Sequence, residues 1–543
     1  MSTPTCAAVL ARTLREAGIT RMFGLPGGEV LDFIDAARRE GIDFLLTRHE
    51  AGAAFMADVT GQIQRRPGVC VATLGPGAMN MALGVANAYL DRSPVIAITA
   101  TLARANSRIA THQDLDLNAV YRPFTKLALT LDGHDTAAKV RHAIAVSLEP
   151  RMGPVHIAVP SDVARTPDAD TPAAPIAERS FTPAPPADLD RVATEIARAR
   201  RPVVVLGIDV NPHAEARAVR AFVDALGAPV FVTPKAKGLV SEDHPLFYGV
   251  CAGVSADAVV VDWLGRADLL IGVGFDPVES DKVWHHTMPM VSVGPVSIAK
   301  DDFRPRAEAV GDLSTALAVL ATRLGARAIE WTAGDRATFR RELEAVLRPT
   351  AVPRGLSGYE LTRRLRESFP RDTIFVTDVG SVKMVTSQAW TSYEPQTFFE
   401  SNGLSAMSYS LPAAMAARLQ YPKRPILCTI GDGGFGMTIA EIETCVRERL
   451  HFTTVVYNDS SLSLIDAAQQ RRGYPTTGVR HSQVDFAAAA AAFGAWSRRV
   501  ETMEQLDAAL GQSAGIDRPV VIDAVVDPAE YRAQTGPRGK LKT

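Results

Sequence analysis

The chain has no surplus of charge of one sign. Lys and Arg together number 58 and Asp and Glu 60, so the electrostatic footprint of a nucleic-acid binder is missing. Cysteine is scarce, with five residues: Cys6, Cys70, Cys251, Cys428 and Cys445. They are scattered, odd in number and without zinc-ligand spacing, and they point to a reducing cytoplasm. Long apolar runs are also missing. No stretch of about 18 uncharged apolar residues occurs, so no helix is expected to span a membrane. The opening MSTPTCAAVLARTLREAG reads as an amphipathic helix broken by Arg12, Arg15 and Glu16, a poor signal peptide. The P-loop signature G-x-x-x-x-G-K-S/T is lacking. Neither GVGFDP nor GLPGGE is G-x-G-x-x-G, which is read against a nicotinamide dehydrogenase.

What is present suits a sizeable soluble enzyme: 543 residues, 47% of them apolar. At ~150 residues per domain, that is about three domains, each able to bury a core. Two composition breaks read as linkers, TPDADTPAAPIAERSFTPAPPAD at 166–188 and RPTAVPRGLSG at 348–358. They divide the chain into domains at 1–165, 189–347 and 357–530. Each piece alternates short apolar runs with helical patterns. FLLT and VCVATL read as strands in the first, PVVVLGI, PVFVT and DLLIGVG in the second, and TIFVTD, PILCTI and FTTVVYN in the third. The fold class expected is α/β, with three doubly wound domains of mostly parallel sheet covered by helices. Whether the first and third pieces share a fold is left open by the sequence.

One stretch carries chemistry. In ILCTIGDGGFGMTIAEIETCVRERLHFTTVVYN, a buried strand meets a glycine-rich turn, a helical pattern follows, and a second strand ends at Asn458. Ligands in such strand–helix–strand units sit beyond the carboxyl ends of the strands. Asp432 and Asn458 both lie there and can converge. A carboxylate and an amide oxygen suit magnesium, which prefers octahedral oxygens and keeps positions for water and phosphate. Gly433 and Gly434 would let backbone N–H groups approach a phosphate at a helix N-terminus. Glycines, magnesium and a diphosphate without a P-loop lysine point to a diphosphate cofactor.

Here the sequence resembles the thiamine-diphosphate-dependent enzymes. GDG, 24 residues, then Asn is similar to their cofactor signature. FGLPGGEVLDFID, FLLTRHEAGAAFMADV, VATLGPGAMNMALGVANAYLDRSPVIAITA and NGLSAMSYSLPAAMAARL are similar to the acetohydroxyacid synthase (acetolactate synthase) branch, in order along nearly the whole chain. The resemblance names the first domain pyrimidine-binding, the second central, and the third diphosphate- and magnesium-binding. It implies that Asp432, Asn458 and the carbonyl of Ser460 hold Mg²⁺, and that Gly433, Gly434, Gly380 and Ser381 contact the diphosphate. It places Glu50, in TRHEAG, at the N1′ atom of the pyrimidine. Alone, an acid in the first turn of a helix is a common stabilising feature; in this setting it is read as catalytic. A carboxyl there promotes the tautomer whose N4′ removes the C2 proton. Met407 matches the apolar residue that wedges between the two cofactor rings and supplies proximity. The carbonyl of Ser405 and the N–H of Met407 would hold the pyrimidine edge, with Pro26 beside it and Asn80, in GPGAMN, among the cofactor contacts.

The substrate-side residues depart from the synthases. The family's arginine in RFDDR is replaced within GFDPVES by Val278, preceded by Pro277, and its downstream tryptophan by Ala468. THQD matches the FQE region, with His112 for Phe and Gln113 retained, and both are candidate catalytic residues; Lys126 in PFTK keeps a family lysine. The expected reaction is decarboxylation of a 2-oxo acid with carboligation to a second carbonyl compound, an aldehyde or an oxo acid. Simple 2-oxo acid decarboxylation or aldehyde lysis and ligation is the alternative, ahead of a flavin-dependent oxidoreductase or a non-catalytic cofactor-binding homologue. The family's central domain binds FAD, ADP or nothing, and FAD stays open here. The resemblance further implies a cytoplasmic homo-oligomer, a homodimer or homotetramer with active sites at the dimer interface. No nucleic acid or membrane partner is expected.

Overall fold

The computed structural model describes residues 3–106, 112–168, 181–253, 256–279, 288–300, 303–324, 329–348 and 355–534. Among the described residues eighteen strands form three six-stranded sheets, and every strand pair is parallel. The first contains β1 (Arg21–Leu25), β2 (Asp43–Leu46), β3 (Gly68–Ala72), β4 (Val95–Thr101), β5 (Leu127–Thr130) and β6 (Val155–Pro160), in the order β2-β1-β3-β4-β6-β5. The second contains β7 (Pro202–Leu206), β8 (Val230–Val232), β9 (Phe247–Val250), β10 (Leu269–Val273), β11 (Met290–Gly294) and β12 (Ala307–Val310), in the order β12-β11-β10-β7-β8-β9. The third contains β13 (Ile374–Thr377), β14 (Phe398–Phe399), β15 (Ile426–Gly431), β16 (Thr453–Asn458), β17 (Trp496–Val500) and β18 (Val520–Val525), in the order β14-β13-β15-β16-β18-β17. The expected α/β class is met, and the first and third sheets share one strand order. The inner strands are buried along their length, as PVVVL and VCVA are, because helices cover both faces of a parallel sheet.

The chain splits into two compact units. One is residues 1–178 with 403–422 and 438–451, and the other is the remainder. In the first, the helix Glu50–Gln64 is buried nearly all round, and it packs on the helices Pro76–Leu90 and Ser410–Gln420. In the second, one apolar core runs through the central and third sheets, from Val204 and Phe231 to Phe375, Trp390 and Leu427. A buried ion pair reinforces it: Lys237 Nζ lies 2.7 Å from Glu242 and donates to the carbonyls of Ser387 and Trp390. Both expected linkers fall partly outside the described residues, and a helix, Pro186–Arg198, begins within the first.

The strand orders fix where ligands can enter. The direction of winding changes between β1 and β3, between β7 and β10, and between β13 and β15. A crevice opens at each change because the flanking loops diverge to opposite faces. Pro26 leaves β1, Asp378 follows β13 and Asp432 follows β15. The glycine-rich stretch at Asp432, expected to be a turn, instead forms a short helix, Asp432–Thr438.

Candidate active site

In the first unit, Glu50 opens its helix directly after the turn Thr47–His49, which is tied down on several sides. Thr47 Oγ1 donates to the carbonyls of Gly24 at 3.3 Å and His49 at 3.1 Å. His49 Nδ1 caps the helix by accepting from Ala51 N–H at 3.1 Å. The Glu441 carboxylate accepts the N–H groups of Arg48 at 2.9 Å and His49 at 3.1 Å, and the Thr444 hydroxyl at 2.8 Å. Burial raises the Glu441 pKa, opposed by those hydrogen bonds. Glu50 itself is 4% exposed. Its Oε2 accepts from Asn80 Nδ2 at 3.0 Å, and Gly77 leaves room for Oε1, since a Cβ there would stand 3.1 Å away.

The other residues expected in this half lie at the strand ends and loops around it. Pro26 is exposed at the end of β1. Gln113 adopts φ 61° and lays its side chain over Gly75, just before the helix that carries Asn80. With Leu74, Thr101, Leu102, Leu115 and Pro160 it lines a cavity of about 230 Å³. His112 is exposed and does not line that cavity. Lys126 donates to the carbonyls of Val146 and Glu149 at the end of the helix Thr136–Leu148. Ser405 is exposed in a left-handed conformation, φ 56°, and Met407 is half-buried two residues on.

The second unit gathers the oxygen-rich residues. Gly431 pairs with Tyr457, so Asp432 and Asn458 leave neighbouring strands side by side. Asp432 Oδ1 accepts from Gly433 N–H at 2.7 Å and Oδ2 from Ser460 N–H at 2.6 Å. Burial raises the Asp432 pKa, and the nearby His481 and these N–H groups oppose it. Burial, with the Asp432 charge, pushes Asp459 up to about 7. Asn458 Nδ2 donates to the Val484 carbonyl and to Asp523 Oδ1, each at 2.9 Å. Both partners are acceptors, which turns the Asn458 oxygen away from them. Ser460 sits at φ 57°, and its carbonyl accepts from His481 N–H at 3.2 Å, leaving a second lone pair. Gly380 adopts φ 104° ahead of the helix Ser381–Ala389, and a Cβ there, or at Gly431, would meet nothing within 4 Å. Gly434 is different: a Cβ would stand 2.1 Å from Asp378 Oδ2, so glycine is needed there by a buried neighbour in the same chain.

Three family models match this chain, described as the N-terminal (residues 4–120), central (189–320) and C-terminal (378–524) domains of thiamine pyrophosphate enzymes. The chain belongs to the thiamine-diphosphate-dependent enzymes. Among relatives in this family, acetolactate synthase of Bacillus subtilis is 29% identical over 96% of this chain and 93% of its own. The "Probable 2-ketoarginine decarboxylase" of Pseudomonas aeruginosa is 30% identical over 94% of this chain and 93% of its own. The large subunit of acetolactate synthase isozyme 2 of Escherichia coli is 28% identical over 96% and 95%. Among the described residues no helix is long and apolar enough to cross a membrane.

Sequence reasoning missed several residues that this thiamine-diphosphate enzyme uses to shape its two clusters. These are Glu441, Asp523 and Asp91, none of which the sequence singled out. Each is a buried acid that accepts hydrogen bonds from a distant segment, and a buried acid in an apolar context is the one signal that could have flagged them.

Proposed function

We propose that the protein decarboxylates a 2-oxo acid and joins the remaining acyl unit to a second carbonyl compound. Asp432, Asn458 and the Ser460 carbonyl would hold magnesium; all are oxygen donors, the set this ion prefers. Among the described residues no group of three His, Cys, Asp or Glu side chains is placed to hold a metal ion; the proposed donors would be an amide and a backbone carbonyl beside one carboxylate. Gly433, Gly434, Gly380 and Ser381 would meet the diphosphate at two helix N-termini. The open space at Gly380 and Gly431 fits that role. Bound thiamine diphosphate would supply the thiazolium ring that accepts the electron pair left behind when CO₂ departs.

The observation that carries the reading is Glu50. Its carboxyl is buried, one oxygen is held by Asn80, and the turn in front of it is pinned by Glu441. Glu50 would hold and share a proton at the pyrimidine N1′, contributing about 10²–10⁴-fold. The Ser405 carbonyl and the Met407 N–H would grip the pyrimidine edge, and the Met407 side chain would wedge between the two cofactor rings. Gln113 would reach substrate, and the adjoining cavity could take an oxo-acid side chain longer than methyl. His112, exposed and outside that lining, would act at most at the entrance. Exposed Met79 and Leu83, at 48% and 44%, flank Asn80 on one helix, which supports burial of that face against a second copy and an oligomer with shared sites.

Simple decarboxylation is the second reading. Val278 and Ala468 stand where the synthases have an arginine for the acceptor carboxylate and a tryptophan for acceptor choice, and one relative is described as a decarboxylase. FAD has no support among these features. Incubation with a panel of 2-oxo acids, with and without aldehydes, followed by mass analysis, separates the readings. A product longer than its 2-oxo acid precursor supports carboligation, an aldehyde alone supports decarboxylation, and no turnover of any oxo acid overturns both.

A further inference from the structure

Beneath the loop Gly403–Tyr409 lies a line of buried polar side chains with no place in the chemistry above. Asp58 Oδ1 accepts from Gln62 Nε2, and its Oδ2 from Asn87 Nδ2, each at 2.7 Å. Asn87 Nδ2 also donates to Asp91 Oδ2 at 3.2 Å. Asp91 Oδ1 in turn accepts the Gly403 N–H at 2.9 Å. Asp58 and Asn87 are fully buried and Asp91 is 2% exposed. Two buried carboxylates sharing one amide form an expensive arrangement. An apolar core would serve equally well if stability were its only purpose.

What the line touches gives it another purpose. Gly403 lies against the end of the helix Pro76–Leu90, where a Cβ would stand 2.6 Å from Leu90 Cβ. Only glycine lets its amide reach Asp91 so closely. Ser405 and Ser408, both non-glycine, hold left-handed φ values of 56° and 73°. Such residues persist only where the surroundings over-determine them. The far end of the loop is anchored by Tyr409, edge-on to Phe55 at 5.5 Å. Between these anchors lie Ser405 and Met407.

We propose that Asp91, braced by Asn87 and Asp58, is a positioning residue for the pyrimidine of the cofactor. It holds the Gly403 amide, so the Ser405 carbonyl and the Met407 N–H stand in place before the cofactor arrives. This rests on the reading that Ser405 and Met407 grip the pyrimidine. Asp91 itself touches no reacting atom.

Two ligands separate this role from a general structural one. Thiamine diphosphate uses both ends of the site, whereas inorganic diphosphate with Mg²⁺ uses only the diphosphate end. Titration of the apoprotein by fluorescence quenching, with diphosphate measured by competition, should find that Asp91→Ala weakens thiamine diphosphate roughly 10-fold. Diphosphate affinity should change by less than about two-fold. Asp91→Asn, which keeps an acceptor for Gly403, should recover part of the loss and guards against misfolding of the alanine variant. Met407→Ala should show the same selective loss. Equal weakening of both ligands, or of neither, in the two Asp91 variants overturns the assignment while Met407→Ala still discriminates. If Met407→Ala does not discriminate, the reading of the loop itself fails.

Discussion

Glu50 is a carboxyl whose surroundings matter more than its exposure. One oxygen is occupied by the Asn80 amide, and the other lies beside the helix start at Gly77. Glu50→Gln preserves size and can still hydrogen-bond, but it cannot pass a proton to a ring nitrogen. The variant should bind thiamine diphosphate, because the diphosphate cluster is untouched. C2 hydrogen–deuterium exchange on the bound cofactor should slow by about 10²–10⁴-fold. Acid-quench NMR reads this without knowledge of the substrate, and unchanged exchange would remove Glu50 from its role.

Elements in this protein are fastened to each other by buried acids that accept backbone N–H groups. The clearest is Glu441, on the helix Glu441–Arg447, which closes the turn in front of Glu50. Glu441→Ala strands two N–H groups and should lower stability by about 2 kcal/mol. Glu441→Gln keeps an acceptor for both and lets Thr444 accept in its turn, so its loss should stay below about 1 kcal/mol. Urea midpoints at constant slope compare them. If the two variants are equally stable, side-chain volume, not hydrogen bonding, explains the position.

Across the molecule, one buried acid should leave a signature in pH. Glu279 lies near the ends of β7, β8 and β10 and accepts from Ile208 N–H at 2.7 Å and Thr233 Oγ1 at 2.8 Å. Burial pushes its pKa from 4.5 up to about 8, with Asp276 adding and Lys235 subtracting. The folded state keeps this proton where the unfolded chain has released it. Its contribution is therefore most favourable below pH ~4.5, declines as pH rises, and is lost above pH ~8. In Glu279→Gln that decline disappears, so the melting temperature of the variant should gain on wild type between pH 5 and 8 and level off above. A difference independent of pH would show that Glu279 does not titrate there. Assembly is the other property at this scale. If pyrimidine and diphosphate are gripped by different subunits, mixing inactive Glu50→Gln and Asp432→Ala chains should restore part of the activity once subunits exchange. A fully active monomer in sedimentation would exclude it.

Sequence alone determined what is local. The strands around Asp432 and Asn458, the helix opening at Glu50 and the three-sheet α/β class follow from apolar runs, glycine turns and helical spacing, all set by neighbours a few residues away. The Asp–Asn pair was legible because successive parallel strands commonly lie side by side, as β15 and β16 do. Tertiary structure alone decided how the site is braced. Glu441 reaches Arg48 across 393 positions, Gly403 reaches Asp91 across 312, and Asn458 reaches Asp523 across 65. It also decided that Gly434 makes room for Asp378, and that the glycine-rich stretch at Asp432 begins a helix. The reason is physical: a buried polar group must find a partner wherever packing brings one, and no periodicity in the chain records which distant segment that will be.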